Sequence, residues 1–244
     1  MRPGSGERRY RGVGRVRPIT VGQSHGGRDG PWSLWRALWS GPLLVAVVLG
    51  GCGPEPYVGP EGSPTVAVIG DSLLSGAETE IDAAFPDAQV ATADTPGHTL
   101  SMVQDTIEHY VSTTPDVQVL VIGTNDWSQE PEVWAAAVKA ALDSMASVPV
   151  VLWVNHSEDI QLLDLWPAEK YEHHLRYNLA LFRHERSGAY PNFHVLDWAT
   201  ALVEGDAAED GIHLTQQGQD HLAALVREGY ERWYAPPPPP PPPE

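Results

Sequence analysis

Five short runs in this chain are dominated by β-branched and small apolar residues: Thr65–Ile69, Ala88–Ala93, Val117–Ile122, Val148–Val154 and Phe193–Trp198. The first, T-V-A-V-I, has no charged residue at all, which is how a strand covered on both faces reads. Between the runs lie segments with helical periodicity, such as Val133, Val138, Ala141 and Met145. A last helix is expected to follow Thr215 and to end near Trp233. Strands alternating with helices imply a parallel sheet with helices on both sides, because each strand must return over a face to lie beside the next. The expected fold is therefore α/β: a three-layer α/β/α sandwich, flavodoxin-like and doubly wound, around five parallel strands.

In such a sheet every strand ends on the same edge, and ligands bind there. After the first run come Gly70, Asp71 and Ser72, followed by an amphipathic stretch in which Leu73, Leu74, Ile81 and Phe85 share one helical face. Asp71 and Ser72 are both favoured helix-capping types. A serine held at the end of a strand and the start of a helix, near free N–H groups and partial positive charge, is also a candidate nucleophile. The second run is followed by Asp94 to His98, the third by G-T-N-D-W from Gly123 to Trp127, and the fourth by Asn155 and His156. Ahead of the last helix stands D-G-I-H, with Asp210 and His213 three residues apart.

In this order and after these strands, G-D-S-L (Gly70–Leu73), the loop glycine Gly97, G-T-N-D (Gly123–Asp126) and D-G-I-H (Asp210–His213) resemble the four blocks of the SGNH or GDSL hydrolases. The resemblance covers about Thr65 to Tyr234. It implies a serine hydrolase acting on ester bonds, with Ser72 as nucleophile, His213 as the base that takes its proton, and Asp210 orienting the imidazole. It also implies an oxyanion hole built from the N–H groups of Ser72 and Gly97 and the side-chain amide of Asn125. Asp126 reads as structural, and His98 and Trp127 as candidates for shaping the pocket. The chain departs from the family pattern at Leu74, where a small or hydroxyl residue is more usual, and at His98. Both departures bear on substrate shape rather than on the proton relay.

Charge divides the chain. Residues 1–51 hold eight Arg, no Lys and two acidic residues, a balance of +6 in a chain of net charge −17, so the remainder carries −23. Within residues 1–51 the basic residues end at Arg36, and L-L-V-A-V-V-L from Leu43 to Leu49 leads into Gly50, Gly51 and Cys52. The apolar run is shorter than the roughly 20 residues that span a bilayer. L-G-G-C resembles the lipobox of bacterial lipoproteins, which implies export, lipidation of Cys52 and anchoring at the outer face of a bacterial membrane. Residues 52–64 are rich in Pro and Gly and read as a tether, the hydrolase domain as residues 65–234, and residues 235–244, with eight consecutive prolines, as a stiff extended tail.

Other functions lack their signatures. No G-x-G-x-x-G follows the first strand and no G-x-x-x-x-G-K occurs, so a nucleotide cofactor is not expected. G-x-S-x-G occurs only at Gly22–Gly26, inside the leader. Adjacent residues on a helix face different ways, so His173 and His174 make a poor metal pair, and no metal is expected. The −23 balance outside the leader opposes nucleic-acid binding. The expected partner is a small-molecule or glycan ester. Two alternatives stay open: an O-acyltransferase using the same relay, and a surface lipoprotein that only binds a glycan or a partner.

Overall fold

A computed structural model describes residues 56–156 and 168–234; the leader, Cys52 and the proline run lie outside these residues. Among the described residues, strands β1 (Thr65–Gly70), β2 (Gln89–Asp94), β3 (Val117–Val121), β4 (Val150–Val154) and β5 (Phe193–Leu196) form one sheet. Its order is β2-β1-β3-β4-β5, and every pairing is parallel. Helices α1 (Ser72–Ala84), α2 (Gln104–Ser112), α3 (Pro131–Ser144), α4 (Ala168–Ser187), α5 (Trp198–Ala201) and α6 (Gln216–Trp233) cover it. This is the expected three-layer sandwich.

Strand ends shift for local reasons. β4 begins at Val150 rather than Val148, since Pro149 has no N–H for the ladder and the Val148 N–H closes a turn onto the Met145 carbonyl at 3.0 Å. β5 ends at Leu196, because Asp197 caps α5 and Trp198 is already helical. β1 and β2 each run one residue further than expected, and β2 starts and β3 stops one residue inside their expected bounds.

Alternation along the strands sorts the core into two clusters. Val66, Val68, Val119 and Leu152 pack with Leu73, Leu74, Ala77 and Ile81 of α1 and with Leu222 and Val226 of α6. Ala67, Ile69, Leu120 and Trp153 pack on the other side with Ile107 of α2, Trp134 and Val138 of α3, and Tyr177 of α4. The α3 pattern is corrected in phase: Val133 is 57 % exposed, and Trp134, completely buried, leads the inward face instead. Phe85 lies just past the end of α1 yet is buried against Tyr230, edge to face at 5.2 Å.

The segment read as a tether is partly folded. Val58 and Val90 exchange backbone hydrogen bonds, each 2.8 Å, as an antiparallel bridge on the outer edge of β2. Tyr57 meets Tyr110 edge to face, and its hydroxyl lies 3.0 Å from Thr113 Oγ1. The folded unit therefore starts upstream of Thr65, and this strap covers part of an edge strand that would otherwise expose its ladder.

Gly70 sets the entry to the site. A Cβ there would lie 2.5 Å from Leu74 Cβ and 2.6 Å from the Val121 carbonyl oxygen, closer than packed atoms tolerate. Only a residue without a side chain lets α1 fold back directly onto β1 and β3. Gly70→Ala is expected to destabilise the protein by about 1–3 kcal/mol, as overpacking does, seen as a lower urea midpoint at unchanged slope.

Candidate active site

β1 and β3 lie side by side while their following helices leave on opposite faces, so the chain reverses its winding between them. Ser72, the first residue of α1, stands at that point. Asp71 caps the helix, accepting the Leu73 N–H at 3.0 Å. The turn Thr124–Ser128 after β3 brings Asn125 to the same edge.

Asp210 and His213 arrive on a short loop closed by an antiparallel bridge between Ala207 and Leu214. Asp210 Oδ1 accepts the N–H groups of Ile212 and His213, each at 3.0 Å, so the carboxylate shapes its own turn. Asp210 Oδ2 lies 2.6 Å from His213 Nδ1, and His213 Nε2 lies 3.1 Å from Ser72 Oγ. An ionised carboxylate only accepts, so Nδ1 carries the ring proton and Nε2 faces the hydroxyl as an acceptor. The His213 and Asp210 side chains are 54 % and 48 % exposed. A hydrogen bond so wet adds little stability, so its value lies in geometry.

The remaining expected residues are placed around this relay. Gly97 is exposed and has φ +81°, a left-handed backbone that glycine adopts without strain. Among the described residues no group accepts its N–H, nor the N–H of Ser72 at the helix start. Asn125 is close by, but both protons of its amide are engaged: Nδ2 donates to Asp71 Oδ2 at 3.3 Å and to the His98 carbonyl at 3.1 Å. Trp127 is 39 % exposed, with the Lys170 ammonium 5.7 Å from its ring centre. Among the described residues no group of three His, Cys, Asp or Glu side chains is arranged to hold a metal ion.

No protein-family model matches the sequence, and no curated protein matches it significantly. Solved structures do match. A lipase/acylhydrolase from Enterococcus faecalis is 18 % identical, over 69 % of this chain and 96 % of that one, at a TM-score of 0.56. The C-terminal catalytic domain of peptidoglycan O-acetyltransferase A from Streptococcus pneumoniae is 16 % identical, over 70 % and 94 %, at 0.54. A family 3 carbohydrate esterase from Clostridium thermocellum is 14 % identical, over 69 % and 96 %, also at 0.54. The chain shares its fold with these acylhydrolases and esterases.

Within this fold, Asp206 and Tyr177 hold the site but carry no local signal in the sequence, whereas Asp126 already reads as structural there. Asp206, completely buried, accepts the Val203 N–H at 2.9 Å and Gln217 Nε2 at 2.9 Å, and lies 2.7 Å from His221 Nδ1. Its own carbonyl accepts the Thr215 N–H at 2.8 Å, fixing the base of the loop that presents His213. Asp126 joins the second loop to the third by accepting the Leu100 N–H at 3.0 Å, and takes Gln129 Nε2 at 2.8 Å. The Tyr177 hydroxyl lies 2.6 Å and 2.7 Å from the carbonyls of Asp126 and Gln129, so α4 braces the same turn. His156, whose N–H and C=O are both held by the Asn178 amide, packs below, and among the described residues neither of its ring nitrogens has a hydrogen-bond partner.

The carboxyl groups divide by environment. Burial pushes Asp210 up, but hydrogen bonds from the His213 ring and the Ile212 and His213 N–H groups outweigh it and leave the group below its ordinary range, hence ionised. Burial raises Asp71 to about 6 against the N–H groups of Leu73, Thr124 and Gly123, and raises Asp126 to about 7 against the Leu100 N–H, with the Asp71 charge adding to the rise.

A carboxyl raised in the folded state binds its proton more tightly there than in the unfolded chain. Its contribution is most favourable below the unfolded value of 3.8 and is lost as pH rises toward the folded value. The difference in stability between the parent and Asp126→Asn should therefore move against the parent as pH rises from 5 to 8. Paired thermal melts check this, and His156, whose burial holds it neutral, is common to both proteins and cancels.

Proposed function

We propose that this protein is a serine esterase that cleaves carboxylic esters, short acyl esters above all, through an acyl-serine intermediate. The observation that carries the reading is the unbroken relay of 3.1 Å from Ser72 Oγ to His213 Nε2 and 2.6 Å from His213 Nδ1 to Asp210, set at the carboxyl edge of a parallel sheet. His213 takes the hydroxyl proton as Ser72 Oγ attacks the ester carbonyl, and Asp210 stabilises the imidazolium that forms. The oxyanion falls to the unclaimed N–H groups of Ser72 and Gly97, with Asn125 as the third donor. The imidazolium then protonates the leaving alkoxide. Water, activated by the same imidazole, attacks the acyl group and frees the serine.

The exposed relay leaves space for a bulky alcohol, so an O-acetylated glycan fits as substrate. That openness equally admits a sugar hydroxyl in place of water, and the O-acetyltransferase domain that shares this fold makes acyl transfer the second reading. We place the enzyme at the outer face of a bacterial membrane, exported by residues 1–51 and held by lipid on Cys52.

Two measurements test this. The purified protein should hydrolyse aryl acetate faster than longer aryl esters, and Ser72→Ala and His213→Ala of verified fold should each lose about 10⁶-fold in kcat, as the members of such a relay act as one unit. Retained turnover in Ser72→Ala would overturn the reading, and acyl delivery to an added glycan in preference to water would establish the transferase. Mass spectrometry of envelope fractions should find Cys52 as an acylated first residue; a soluble, unmodified chain would refute the anchor.

A further inference from the structure

Asp71 does more than a helix cap requires. Its first oxygen caps α1 through the Leu73 N–H, a task Ser, Thr or Asn performs as well. Its second oxygen reaches across to the turn after β3, 3.3 Å from Asn125 Nδ2, and the N–H groups of Gly123 and Thr124 also face the carboxylate. The side chain is completely buried, and a buried carboxylate costs stability that a neutral cap would not. A charged group kept at such a place is explained by what it does for the neighbouring loop.

Asn125 is where that shows. Its amide has two protons, and both are taken, one by Asp71 and one by the His98 carbonyl. To bind an oxyanion at Ser72 it must release one of them. The Asp71 bond is the longer at rest, but its acceptor is an anion shut away from water, and hydrogen bonds to ionised groups are the stronger kind. The His98 carbonyl is neutral and lies in the half-buried loop that follows Gly97, where water can replace the lost donor.

We infer that Asp71 is a positioning residue of the oxyanion hole: it pins the Asn125 amide, so that the proton resting on the His98 carbonyl turns to the oxyanion formed at Ser72. The inference rests on the esterase reading above. Asp71 touches no reacting atom itself and acts through Asn125.

The test is a double-mutant cycle on aryl acetate hydrolysis with the full chain: parent, Asp71→Ser, Asp71→Asn, Asn125→Ala, and each Asp71 variant combined with Asn125→Ala. Ser and Asn both cap helices, so a role confined to capping leaves kcat at the parental value in both. Serine is too short to reach Asn125. The positioning role predicts that Asp71→Ser lowers kcat about 10²-fold, with KM within about twofold, while Asp71→Asn, which keeps an acceptor oxygen, recovers part of the loss. In the Asn125→Ala background the Asp71 substitutions should cost less than about threefold more, since the two residues act as one. Parental kcat in Asp71→Ser, or losses that multiply in the double variants, would overturn the inference; if Asp71→Ser does not fold, the Asp71→Asn arm carries the same comparison. A parent inactive on every ester sinks the esterase reading itself and is recognised before any variant is compared.

Discussion

The parallel pairing of β1 with β3 is the constraint on which the site depends. It places Gly70 against Val121 and thereby sets the end of the first strand beside the end of the third. Ser72 and Asn125 come from chain positions 53 residues apart, yet each leaves its strand within a few residues of that pairing. The contact tolerates no side chain at Gly70, so the strand, the turn and the first turn of α1 form one rigid piece. A side chain mounted there, as Ser72 is, cannot drift without disturbing the packing of the sheet.

What holds the remaining loops is polar and buried, in contrast to the apolar layers beneath. Asp71 links the first loop to the third, Asp126 links the third to the second, and Asp206 secures the loop bearing His213. The first two are held neutral more readily than free carboxyl groups because burial disfavours their charge. Asp206 and Asp210 go the other way, because hydrogen bonds outweigh burial at both. The result is a wet relay on a dry scaffold: His213 and Asp210 meet solvent, while the carboxylates that fix the loops around them do not.

The legible part of this protein is the part written locally. Strand-length apolar runs followed by Gly70-Asp71-Ser72, or by Gly123-Thr124-Asn125, state their structure within a few residues. Asp210 and His213 are legible because one turn delivers both. The errors came where one residue's behaviour is decided elsewhere. Val133 and Trp134 fit helical spacing about equally well, and only the stack of Trp134 on Tyr177, 4.4 Å between ring centres, settles which faces inward. Tyr57 and Val58 sit in a Pro- and Gly-rich segment, and it is the free edge of β2 that recruits them. Asp206 with His221, 15 residues on, and Tyr177 with Asp126, 51 residues apart, join separate elements, so neither helical nor strand spacing links them.

The described domain also has a direction. Tyr57, where the strap begins, lies against Thr113 just past the end of α2. Tyr234, at the end of α6, hydrogen-bonds with Asp116, the residue that leads into β3 and also holds the Thr65 N–H at 2.8 Å. Both ends of the domain therefore gather where the strands begin, whereas Ser72 stands where they finish. The six residues of β1 span about 17 Å from end to end, which sets the scale of the distance between these two edges. Ser72, Asp210 and His213 therefore stand at the edge of the described domain opposite the one where its two ends lie, among loops that Asp71, Asp126 and Asp206 hold from beneath.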